Sequence, residues 1–152
     1  VAAPHEGNHT VDYADSIASA ADLLRAAARA AKVPAPTPWA IDRTGPADQG
    51  DVLYAENGNI VADRSADQPG EDVDLPYLAL ANPDFGLAVA AMLDDELNAY
   101  QAAVAGVAAT FPHDETRRRD WLAARENVHT LNLARLIHEA AARNGLAAAV
   151  AP

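Results

Sequence analysis

The chain has 152 residues, half of them hydrophobic but only 5% aromatic, with no cysteine and a formal net charge of −11. That length suits one domain, and an apolar half dominated by Ala predicts a core of closely packed helices. The lack of cysteine excludes disulfides, thiolate metal sites and thiol catalysis together, and the acidic balance disfavours nucleic acid, which proteins grip through Lys and Arg on phosphates.

Residues 1–10 contain Pro4, His5, Gly7 and His9, show no periodicity and read as a flexible arm. They lack the basic start and apolar stretch of a signal peptide. From residue 11 to 33 the pattern turns helical. Ile17, Ala21, Leu24, Ala28 and Ala31 recur at spacings of three and four, which forms one apolar stripe. Asp12 and Asp15 come early and Arg25, Arg29 and Lys32 late, the order that the helix dipole favours. Pro34, Pro36 and Pro38 then end the helix.

A β segment follows. Trp39-Ala40-Ile41 reads as a short strand. Asp51 to Glu56 and Asn59 to Asp63, separated by Asn57-Gly58, read as a hairpin with a two-residue type I′ turn. Such a turn sets Tyr54 opposite Val61 and Ala55 opposite Ile60. The expected sheet has three antiparallel strands and needs helices on one face to be stable. Residues 64–74 form a polar loop, and residues 75–81 a short helix. Asn82-Pro83 then supplies an N-cap and a first helical proline. That helix runs to about residue 109, with Phe85, Val89, Met92, Leu93, Leu97, Tyr100, Val104 and Val107 on its inner face. After Phe111-Pro112 a last long helix starts near Asp114 and stops at Asn144-Gly145, which makes an antiparallel helix hairpin. The expected architecture is α+β and mostly helical: an N-terminal helix, a small three-stranded sheet and a long helix hairpin. One domain is expected over residues 11–148, with a tail at 149–152.

The last helix carries two apolar stripes. Trp121, Ala124, Val128 and Leu131 form the first; Leu133, Leu136, Ile137 and Ala140 form the second. At about 100° per residue they lie well apart around the helix, so it is covered on more than one side. Either the N-terminal helix packs there too or a second copy does; of the two, a homo-oligomer contact through Trp121, Val128, Leu131, Leu136 and Ile137 is the expectation.

The charge is segregated. Residues 42–96 hold thirteen acidic residues against Arg43 and Arg64, so the whole net charge falls there. Asp63, Asp67, Glu71, Asp72, Asp74, Asp94 and Asp95 make up its candidate interaction surface, suited to a basic protein partner through electrostatic steering. No apolar run approaches the roughly 20 residues that span a bilayer. The expected place is the cytoplasm, or a virion or other assembly formed there, without membrane or direct nucleic-acid contact.

Few residues suggest chemistry. Glu96 falls on the apolar side of its helix and needs a partner there. Arg125 or His129 of the last helix could supply it as a core ion pair. Glu126 and His129 also form Glu-x-x-His, the spacing that joins a Glu from a neighbouring helix in carboxylate-bridged metal bundles. A divalent metal on Glu96, Glu126 and His129 is therefore the alternative to the ion pair, although such a bundle uses two of these motifs and this chain has one. Otherwise no cofactor is implied. Arg117-Arg118-Arg119 is too small a cluster for a nucleic-acid footprint, and His138 beside Glu139 reads as an exposed helix face. There is no Gly-rich phosphate loop and no nucleophile elbow, so no catalytic set emerges.

The run Thr37-Pro38-Trp39, then Val52-Leu53-Tyr54, Asn57-Gly58, Val61-Ala62-Asp63 and Tyr77 to Pro83 resembles a pattern in small accessory proteins of phages, prophages (the Ead type among them) and actinobacteria. The resemblance spans roughly residues 37–96, carries no functional residues, and implies a non-essential, phage-associated or high-GC bacterial origin. One Lys against ten Arg agrees with a high-GC source. The expected function is that of a non-enzymatic interaction protein: an accessory, inhibitor or assembly component. An acidic DNA mimic and a metal-binding helical protein are the alternatives.

Overall fold

The computed structural model describes residues 9–42, 51–63 and 74–146. In chain order these form α1 (His9–Lys32), β1 (Ala40–Asp42), β2 (Val52–Tyr54), β3 (Ile60–Asp63), α2 (Asp74–Leu80), α3 (Pro83–Thr110), α4 (Glu115–Ala123) and α5 (Val128–Arg143). The expected class holds: mostly helical α+β, with an N-terminal helix, a small antiparallel sheet and helices after it. The chain divides into two compact units, Leu24–Val89 and Val1–Leu23 with Ala90–Pro152.

In the Leu24–Val89 unit the strands lie in the order β1-β2-β3, each antiparallel to its neighbour. The hairpin register differs from expectation: Tyr54 pairs with Ile60, Leu53 with Ala62 and Val52 with Asp63, with an irregularity between Leu53 and Tyr54. The Ala55 N–H donates to the Asn59 carbonyl at 2.9 Å, which leaves a three-residue loop, Glu56, Asn57 and Gly58. Gly58 supplies the left-handed residue such a loop requires (φ 81°). Asn-Gly thus marks the hairpin correctly but as the end of a longer turn. The turn is tied to the end of α1, because the Asn59 side-chain amide donates to the Pro34 carbonyl at 2.6 Å and the Glu56 N–H to the Pro36 carbonyl at 3.1 Å. On the sheet, Leu53 is fully buried and α2 packs on β1 and β2, with Leu75 also fully buried.

The start of α3 follows its sequence signal. The Asn82 side chain accepts from the Phe85 N–H at 3.1 Å, and Pro83 opens the helix. Gly86 lets α3 approach α1, since a Cβ there would stand 3.2 Å from the Ala28 Cβ. Lys32 donates to Asp84 at 2.6 Å and Thr37 donates to the other oxygen of that carboxylate. The Lys32 and then the Thr37 hydrogen bond hold the Asp84 carboxyl below its ordinary range.

The second unit is a helical core. Tyr13, Ile17, Ala20 and Ala21 of α1 meet Leu93, Tyr100 and Val107 of α3, Leu122 of α4 and Ala134 of α5. The buried stripe of α3 is narrower than expected. Leu93, Tyr100 and Val107 are inside, whereas Met92 and Val104, like Phe85 earlier in the helix, are exposed.

The last helix is not continuous. α4 ends at Ala123 and α5 starts at Val128, with no Gly or Pro between them. The physical reason is phase. Leu122 and Ala134 are twelve residues apart, so on one straight helix they would point about 120° away from each other. Both are buried in the same cluster, and the break turns both toward it. Asn127 then caps α5, its side-chain oxygen accepting from the N–H groups of His129 (3.0 Å) and Thr130 (3.3 Å).

Candidate functional site

The break between α4 and α5 is where the polar groups of the helical core collect. Tyr13 is 1% exposed, and its hydroxyl donates to Glu96 Oε1 at 3.0 Å while accepting the Asn127 N–H at 2.9 Å. One phenol from α1 therefore holds both a carboxylate on α3 and the first residue of the α5 cap. The Tyr100 ring lies 4.7 Å from that of Tyr13, tilted by 50°, a favourable aromatic geometry. The Tyr100 hydroxyl is buried, with no hydrogen-bond partner among the described residues.

Burial, opposed by the Asn127 N–H and reinforced by the neighbouring Glu96 and Glu126 carboxylates, pushes the Tyr13 phenol up to about 12. Burial and then the Glu126 charge raise Tyr100 as well. A phenol raised in this way stays protonated at neutral pH, and the Tyr13 hydroxyl serves there as the donor to Glu96. Of these groups, the sequence singled out Glu96, Glu126 and Tyr100 but missed Tyr13. The available signal was the Tyr13, Ile17, Ala21 spacing, which extends the α1 stripe by one turn.

The residues singled out for an ion pair or a metal, Glu96, Arg125, Glu126 and His129, lie as follows. Glu96 is half-buried as foreseen, but its hydrogen-bond partner is Tyr13. Arg125 and His129 are exposed, and Arg125 enters no ion pair among the described residues. Glu126 lies in the linker and His129 in the first turn of α5, so Glu-x-x-His does not lie on one helical face. Among the described residues no three His, Asp or Glu side chains are grouped to hold a metal ion.

The other expected site residues fall as follows. Trp121 (47% exposed), Val128 (60%), Leu131 (37%) and Leu136 (52%) all face outward. Ile137 instead packs against the core, because it shares the buried side of α5 with Ala134 and Ala141. His138, read as an exposed face, is half-buried and donates to the Ser16 carbonyl at 3.1 Å. Asp67, Glu71 and Asp72 lie outside the described residues; Asp63 ends β3 and Asp74 begins α2. Asp95 is exposed on α3 and Asp94 half-buried beside it. Each arginine of the 117–119 cluster is matched within its own helix end: Arg117 by Asp114, Arg118 by Glu115 and Arg119 by Asp120.

The Leu24–Val89 unit offers a groove of about 530 Å³, lined by Ala31, Pro34, Ala35, Trp39, Asn59, Ile60 and Val61. Trp39 is fixed there by an indole N–H bond to the Ala35 carbonyl at 2.9 Å. Among the described residues its lining is apolar apart from Asn59, which suits an apolar group. No protein-family model, curated protein or solved structure matches this chain.

Proposed function

We propose that this chain is a non-enzymatic interaction protein that associates through its helical surface with a second copy of itself and uses its acidic middle segment toward a basic protein. The observation that supports this reading is the outward placement of large apolar side chains. Met92, Trp121, Val128 and Leu136 are each about half exposed or more, on helices whose opposite faces already fill a core. Apolar surface of that kind marks interaction sites. The concentration of the net charge in residues 42–96 adds a long-range attraction for a cationic partner. A phage-associated accessory, inhibitor or assembly component is the biological role this reading gives it, following the resemblance over residues 37–96.

Native mass spectrometry of the protein isolated from its source tests the reading. The expected result is a defined oligomer, or a complex with a co-purifying basic protein that dissociates as salt is raised. Substituting Trp121→Ala or Val128→Ala should reduce the oligomer while leaving the fold intact. A monomer at all concentrations, with no bound protein, would overturn it.

A further inference from the structure

We propose that Asn57 is a site of spontaneous deamidation through the backbone nitrogen of Gly58, and that the conversion releases the β2–β3 turn from the end of α1.

An asparagine loses ammonia when the nitrogen of the next residue attacks its side-chain carbonyl carbon. A following glycine, which has no Cβ in the way, favours that attack. The chain has two such dipeptides, Asn57-Gly58 and Asn144-Gly145, and all four residues are exposed.

The fold arranges the two in opposite ways. At the turn, Asn57 Oδ1 accepts the Asn59 N–H at 3.1 Å, the bond of an Asx turn. A carboxamide whose oxygen meets the N–H two residues on is folded forward across the intervening peptide, which brings its carbon beside the Gly58 nitrogen. The Asn59 N–H also lies on the oxygen that gains negative charge as that nitrogen adds, and a donor so placed favours the step. There is room for the ring to close: Gly58 stands at φ 81°, and no described atom beyond its chain neighbours lies within 4 Å of where a Cβ would be. One hydrogen bond opposes the attack, from the Gly58 N–H to the Ala55 carbonyl at 2.9 Å, and it must open first. At the end of α5 the Asn144 side-chain amide instead donates to the Ala140 carbonyl at 2.8 Å. Bonded one turn back, it points toward the start of the helix, as helical side chains do, and away from the Gly145 nitrogen. Asn57 is therefore the reactive one of two identical dipeptides.

In the reaction the Gly58 nitrogen forms a bond to Asn57 Cγ and gives up its proton. The Cγ–Nδ2 bond breaks, and Nδ2 leaves with that proton as ammonia. The cyclic imide then takes up one water. Attack at Cγ gives aspartate; attack at the main-chain carbonyl gives isoaspartate, whose backbone runs through Cβ and Cγ. Nothing is oxidised or reduced.

The product no longer fits the turn. Asn57 Nδ2 donates to the Pro34 carbonyl at 3.3 Å, and a carboxylate has no proton to give there. Isoaspartate also lengthens the backbone of a short loop. The other ties of that loop, from the Asn59 amide to the Pro34 carbonyl (2.6 Å) and from the Glu56 N–H to the Pro36 carbonyl (3.1 Å), depend on its present length. Pro34 and Asn59 line the groove at Trp39, so release of the turn reshapes the groove and adds a negative charge next to it.

The full chain is incubated at mildly alkaline pH, folded and in parallel unfolded in guanidinium chloride. Both sites are followed by peptide mapping with mass spectrometry, which separates aspartate and isoaspartate from asparagine. In the unfolded chain the two sites should convert at similar rates; in the folded chain Asn57 should convert several-fold faster than Asn144. Asn144 converting as fast or faster in the folded chain would overturn the site, as would conversion of Asn57 in the unfolded chain alone. Amide hydrogen exchange on the separated isoaspartate form reads the release. The Glu56 amide should lose protection while Leu53 keeps its own; a Glu56 amide as protected as before would overturn it.

Discussion

α1 and the α4–α5 segment are of similar length, and both are free of Gly and Pro, yet α1 is one helix and the other segment is two. In α1 the residues of the shared core cluster, Tyr13, Ile17, Ala20 and Ala21, fall within an arc of about 100° when projected at 100° per residue, with the buried Leu23 about 60° beyond it. Nothing is gained by bending it. In α4–α5 the buried Leu122 and Ala134 fall about 120° apart and share one cluster. Burying a leucine-sized side chain is worth about 1.5–3 kcal/mol, more than the few backbone hydrogen bonds that a break transfers to side chains. In the α4–α5 segment the break coincides with two residues of one cluster that are out of phase, and the local helix formers yield to it.

The comparison can be broken most severely at Tyr13, the residue of the straight helix that holds the bend in the other. Tyr13→Ala removes a fully buried ring from the Tyr100 contact and should destabilise the fold by about 3–5 kcal/mol, measured by urea unfolding. Tyr13→Phe keeps the ring but deprives the Asn127 N–H and Glu96 of their partner. It should cost about 1–2 kcal/mol and loosen amides 125–128 more than those of α1.

The same substitution has a pH signature. The Tyr13 phenol is raised to about 12 in the fold, above the roughly 10 of an unfolded tyrosine. Its protonated form is the one the fold favours, so its contribution is complete below pH 10 and is lost as pH rises from there toward 12. Alkaline unfolding should therefore be less steep in Tyr13→Phe than in the wild-type chain, with Tyr100 supplying the remaining dependence.

Smaller effects separate the cap from its surroundings. Asn127→Ala should destabilise the monomer by about 1 kcal/mol, because the His129 and Thr130 N–H groups lose their acceptor. Arg125→Ala, one residue from Glu126 and fully within the linker, should change stability by less than about 0.5 kcal/mol. An equal loss at both positions would show that the cap does not hold the break.

Much of the fold was legible in the sequence for identifiable reasons. The α1 stripe, the triple proline that ends it, the Asn82-Pro83 start and the Asn57-Gly58 turn are local signals read within a few residues. The hairpin register was missed because a two-residue and a three-residue loop can share the same Asn-Gly, and the choice lies with Asn59 and the Pro34 carbonyl beyond it. The break at residues 124–127 was missed because its cause is tertiary. The two out-of-phase stripes were visible, but that they would turn toward one core follows only from where α1 and α3 stand. Asn127 was a possible cap hidden inside a run of helix formers. The site suffered the same way: Glu96 was recognised as a carboxylate in need of a partner, but Tyr13 lies 83 residues away.

The most direct measurement is the set of backbone Cα chemical shifts of residues 115–143 in the monomer. The account predicts two helical stretches separated by non-helical values around Glu126 and Asn127, with the Asn127 amide proton shifted when Tyr13 is replaced by Phe. An uninterrupted run of helical shifts from Glu115 to Arg143, unchanged by that replacement, would contradict it.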